Sequence, residues 1–65
     1  MRYLTGTKKQ VISNMARLAI RSEEALIEAY NLTREHLDIE SKDYADCTNA
    51  IAIAERSIED YRRFV

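Results

Sequence analysis

The chain has 65 residues, with one cysteine, one histidine, one glycine, no proline and a formal net charge of −1 at pH 7. That excludes an internal disulfide, and a zinc site built from His and Cys would lack ligands. It leaves one domain, of a size that hides only about 60% of the surface its unfolded chain exposes and that leans on an oligomeric partner when disulfide and metal are absent.

Met1 to Gln10 is polar and basic with no apolar core, so no signal peptide is expected there. The longest apolar run, Ala50 to Ala54, falls far short of the ~20 residues of a membrane span. The expectation is a soluble, cytoplasmic protein that does not use a membrane. Asn31-Leu32-Thr33 fits a glycosylation sequon, which without a secretion signal is read as chance.

Thr7-Lys8-Lys9-Gln10 reads as a capping box, so helix 1 is expected to begin at Lys8. From there Val11, Met15, Leu18, Ser22, Ala25, Ala29, Leu32 and His36 recur at spacings of four and three, a heptad seam. Ile12, Ala19, Leu26, Tyr30 and Leu37 form a second stripe beside it, and Ile20 and Ile27 widen the arc. Gln10, Ser13, Arg17, Arg21, Glu24, Glu28, Asn31 and Glu35 make a narrow polar strip. A helix packing on one neighbour needs an apolar stripe only ~100° wide; this one covers more than half the circumference.

A turn is predicted over Asp38 to Ser41, with Ser41 as the cap of helix 2 and Asp43 in its first turn. Helix 2 repeats the seam with Tyr44, Cys47, Ile51, Ala54, Ile58, Tyr61 and Val65, beside a stripe of Ala50, Ile53, Ser57 and Phe64. The expected fold is all-α: a two-helix antiparallel hairpin, helix 1 over about 8–37 and helix 2 over about 42–64. A homodimer in the form of an antiparallel four-helix bundle would cover the wide arcs. A competing layout breaks helix 1 at Asn31, which can take a left-handed cap position, with Thr33 capping a short third helix.

Charge is distributed unevenly. Arg2, Lys8, Lys9, Arg17 and Arg21 give residues 1–22 a net +5 with no acid, whereas residues 23–60 carry eleven acids against Arg34, Lys42 and Arg56, a net −8. Arg62 and Arg63 return to the basic end. A hairpin therefore has a basic open end and an acidic turn end, which favours an antiparallel dimer. Helix-stabilising pairs such as Arg56–Asp60 and Glu59–Arg63 are expected along the solvated faces. The alternative use of the basic end is to contact phosphate backbones or an acidic partner, through Lys8, Lys9, Asn14, Arg17, Arg21, Arg62 and Arg63. The sequence pI of 5.7 argues against a dedicated nucleic-acid domain.

No pattern supports catalysis. His36 lies near Glu35, Asp38, Glu40, Asp43 and Asp46, but the spacing matches no calcium loop and the turn glycine is missing. Cys47 falls in the seam and reads as a small buried apolar residue. Tyr44 and Tyr61 read as core, with Tyr3 and Tyr30 unassigned. No catalytic, metal or cofactor site and no small-molecule substrate is expected.

Thr7-Lys8, Asn14-Met15-Ala16-Arg17 and Ile20-Arg21-Ser22 loosely resemble the first helix of the Rop proteins, plasmid-encoded RNA binders that are antiparallel four-helix dimers of helical hairpins. The resemblance covers about a quarter of the chain. Lys8 and Asn14 match RNA-binding positions of that family, while Leu18 stands where the family has an aromatic. The likeness is architectural, and no function is carried over from it. The expected function is that of a small non-enzymatic regulator, of a size that suits a plasmid- or phage-encoded protein, that self-associates and binds or inhibits a larger protein. Small nucleic-acid-binding regulation is the alternative.

Overall fold

The computed structural model describes residues 6–65, so the readings made on Arg2, Tyr3 and the rest of residues 1–5 lie outside the described residues. It holds two helices, α1 (Lys8–Glu35) and α2 (Lys42–Tyr61), followed by a 3₁₀ turn over Arg62–Phe64. The described residues contain no strand.

The capping box starts α1 at Lys8. The Gln10 backbone N–H donates to Thr7 Oγ1 at 3.2 Å, and the Thr7 N–H donates to Gln10 Oε1 at 2.9 Å. Gly6 belongs to the same device. Its φ is +108°, and a Cβ there would strike Gln10 Oε1, so a side chain at this position competes with the cap.

α1 runs unbroken through Asn31, and the three-helix layout is not adopted. The Asn31 side chain is engaged elsewhere: its Oδ1 accepts from Arg34 Nη2 at 2.9 Å. Thr33 does not cap a new helix either, because its Oγ1 donates back to the Ala29 carbonyl at 2.9 Å. The helix stops at Glu35, two residues before the expected end. His36 takes φ −98°, ψ 4°, and the N–H groups of His36 and Leu37 donate to the Thr33 and Arg34 carbonyls in a tightened last turn.

Ser41 caps α2 as the sequence predicts. Its Oγ accepts from the Tyr44 N–H at 3.1 Å and donates to the Asp38 carbonyl at 2.6 Å. Asp38 Oδ1 also accepts from the Glu40 N–H at 3.2 Å, so two side chains fix the turn without glycine. α2 is regular to Tyr61, and the last expected helical residues form the 3₁₀ turn instead.

The helices fold back on each other as a hairpin. α2 presents its predicted seam to α1: Cys47, Ile51, Ala54 and Ile58 are buried, and Tyr44 and Tyr61 are half-buried. α1 answers with a different row from the one read as its seam. Toward α2 it turns Ala16, which is buried, and Ile20, Glu23, Ile27, Tyr30 and Arg34, which are half-buried, as are Val11, Ser13, Asn14, Leu18, Ala19 and Asn31 elsewhere on the helix. At 100° per residue that row lies roughly on the opposite side of the helix from Val11, Leu18, Ala25, Ala29 and Leu32. The reason is packing. Ala16 and Ala54, 5% and 4% exposed, are the most completely buried of the described residues, and the aliphatic stems of Glu23 and Arg34 can line the contact row while their polar ends stay at its edge.

The hairpin is a slab one helix thick. Its extents are 49 × 20 × 11 Å, where α-helices with side chains are ~10–12 Å across. Its radius of gyration is 15.1 Å, against about 11 Å for a compact domain of this length.

Candidate interaction surfaces

The two broad sides of the slab differ in chemistry. One carries Ile12, Met15, Ala19 and Leu26 of α1 beside Ala50, Ile53, Ser57 and Phe64 of α2. Near the open end this side sinks into a groove of about 400 Å³, where Val11, Ile12, Met15 and Ala19 face Tyr61 and Phe64. Ile12, Met15, Leu26, Ile53 and Phe64 are each more than 40% exposed, Ile53 reaching 66%. The opposite side is polar, with a cleft formed by Glu24, Ile27, Glu55, Ile58, Glu59 and Arg62. Apolar side chains belong out of water, so the first side has the composition of a core cut open.

The outer edge of α1 is apolar too. Leu18, Ala25 and Leu32 recur every seven residues along it, and Leu32 is 55% exposed. The row read as the α1 seam is therefore divided. Val11 and Met15 line the groove, while Leu18, Ala25, Ala29 and Leu32 face away from α2.

On the polar side a single arginine ties the helices together. The Arg34 guanidinium donates from Nη1 to Thr48 Oγ1 at 3.0 Å and from Nη2 to Asn31 Oδ1 at 2.9 Å, and lies 5.4 Å from the centre of the Tyr44 ring. Sequence reasoning counted Arg34 only as a charge. Its use as a cross-link depends on Thr48 and Tyr44, fourteen and ten residues away, which no local pattern connects to it.

The basic residues do not form one patch. Asn14, Arg17 and Arg21 share one strip of α1 at three- and four-residue spacing, Arg62 lines the polar cleft, and Lys8, Lys9 and Arg63 gather at the open end. Arg62 pairs with Glu59 at 3.3 Å and Arg63 with Asp60 at 4.0 Å. These i,i+3 pairs replace the expected Arg56–Asp60 and Glu59–Arg63 pairs. Among the described residues Lys8, Lys9, Arg17, Arg21 and Arg56 form no ion pair within 4.0 Å.

The open end itself has a notch of about 510 Å³, with Ile12, Phe64 and Val65 as its apolar wall and Lys8, Lys9 and Arg63 around it. The turn end is the reverse in charge. Asp38, Glu40 and Asp43 are exposed there, and Lys42 pairs with Asp46 at 3.0 Å. The hydrogen bond and the negative charge of Asp46 raise the Lys42 pKa above its ordinary value. Between Asp38 and Glu40 stands Ile39, 72% exposed, a large apolar side chain at the tip of an acidic turn. The stripes on the helices drew attention away from it, although an isoleucine between two acids in a predicted turn is itself a visible signal.

No family model, curated protein or solved structure matches this chain. Cys47 is free and buried, and His36 is exposed. Among the described residues no three His, Cys, Asp or Glu side chains converge as a metal site would require. No helix among them is long and apolar enough to cross a membrane.

Proposed function

We propose that this chain is a small non-enzymatic interaction protein that pairs with a second copy through its apolar broad side, forming an antiparallel four-helix dimer, and then binds a larger protein. The observation that carries this is the apolar side of a slab one helix thick. The chain exposes 5366 Å², whereas a compact monomer of its 7.6 kDa is expected to expose about 4,300 Å². The excess, roughly 1,000 Å², is comparable to the ~800 Å² that one partner contributes to a standard interface. Stacking two slabs buries Ile12, Met15, Leu26, Ile53 and Phe64 in one step. The charge of the two ends favours the antiparallel orientation over the parallel one.

The outer stripe of Leu18, Ala25 and Leu32 supports the second half of the proposal. A hairpin stacked on the broad side does not reach it, so its exposed part, Ala25 and Leu32, beside the half-buried Leu18, stays available to an amphipathic helix of another protein. The experiment for the self-association is substitution on the broad side. Met15→Asp/Ile53→Asp is expected to turn a dimer into a folded monomer, measured by light scattering with helicity checked by circular dichroism. Unchanged mass would remove the broad side from the interface.

Lys8, Lys9, Arg17 and Arg21, none of them in an ion pair within 4.0 Å, favour one competing use, contact with phosphate backbones. A salt titration of RNA and DNA binding separates the two. A steep salt slope flattened by Arg17→Glu/Arg21→Glu would support nucleic acid as the partner, and no binding at low salt would remove it.

A further inference from the structure

The ends of the hairpin match each other in a way that the broad side alone does not require. α1 spans 28 residues, about 42 Å at 1.5 Å per residue. In an antiparallel stack with a two-fold axis near Ser22, the mid-point of α1, the turn of one copy lies level with Lys8 and Phe64 of the other. At that level one copy offers Ile39, 72% exposed, flanked by the exposed carboxylates of Asp38 and Glu40. The other offers the 510 Å³ notch, apolar on the side of Ile12, Phe64 and Val65, with Lys8, Lys9 and Arg63 around it. Apolar meets apolar and acid meets base at the same height, and two-fold symmetry makes the contact twice.

We infer that the open-end notch is a binding site for the Asp38-Ile39-Glu40 turn of a second copy, a latch that sets the orientation and register of the dimer. This rests on the self-association proposed above. Ile39 supplies the anchor and the flanking charges supply the direction. A large exposed side chain entering a pocket is the usual form of an interface hot spot. The reversed arrangement would set turn against turn and lysines against lysines.

The test measures dimer dissociation constants of the full chain by sedimentation equilibrium at low salt, with circular dichroism to confirm helicity. Ile39→Ala is expected to weaken the dimer by ~10-fold or more, since two anchors are lost at once. Lys8→Glu/Lys9→Glu and Glu40→Lys are each expected to weaken it by ~3–10-fold, and the triple variant, with no net charge left at the turn, to be weakened less than Lys8→Glu/Lys9→Glu, with all these effects shrinking in high salt. The lysine variant does not trade on helix loss, because acids suit the first turn of a helix and α1 has none there. A parent dimer that Ile39→Ala and the charge variants leave unchanged would overturn the latch and leave self-association standing. A dimer tightened by Glu40→Lys alone would mark turn packed against turn and overturn it too. A parent chain that stays monomeric throughout would remove self-association, and the latch with it.

Discussion

Gly6 shows how much a single residue decides at the entrance to α1. The positive φ and the Gln10 side chain folded over it make glycine part of the cap. Gly6→Ala is expected to cost about 1–2 kcal/mol, from the strained backbone and the displaced Gln10 together. In a domain this small that lowers the melting temperature by roughly 4–15 °C, which calorimetry would read. Arg34 is the corresponding residue at the other end. Its guanidinium holds Asn31, Thr48 and the face of Tyr44 at once, and only a planar fork does this. Arg34→Lys should therefore destabilise nearly as much as Arg34→Ala, by about 1–2 kcal/mol, in chemical denaturation. A lysine variant as stable as the parent would show that charge alone matters there.

At the scale of the elements, the capping residues and the heptad rows made most of the fold legible. Thr7 with Gln10 and Ser41 with Asp43 placed both helix starts. The four-three spacing of α2 identified the row that packs on α1. The α1 row was not legible, for a physical reason. An apolar arc wider than half a turn contains more than one heptad row, and periodicity cannot tell which one meets the neighbouring helix. What selects the row is fit between elements distant in sequence. Ala54→Leu is accordingly expected to force the helices apart at a cost of about 1–3 kcal/mol, visible as a lower denaturation midpoint. Truncating Ile51 or Ile58 to Ala is expected to cost about 2–5 kcal/mol, enough to unfold most of so small a hairpin unless a partner supports it.

For the molecule as a whole, composition and charge indicated the need for a partner before any geometry was known. A chain of this length with a single cysteine and apolar arcs on both helices is expected to gain support from a partner. The fold turns that into a specific surface: a broad side bearing Ile12, Met15, Leu26, Ile53 and Phe64, an apolar outer edge on α1, and two ends of opposite charge. The candidate basic residues were legible as residues but not as a site. Folding sends Lys8, Lys9 and Arg63 to the open end, keeps Asn14, Arg17 and Arg21 on one strip of α1, and sets Arg62 in the polar cleft. Ile39 acquires meaning only when the turn of one copy is placed beside the open end of another.

The central claim is that this apolar side is covered by a second copy. Sedimentation equilibrium of the purified full chain across a wide concentration range tests it most directly. The mass is expected to rise from 7.6 kDa toward twice that value as concentration increases, and to stop there. A folded particle of 7.6 kDa at every concentration would contradict it.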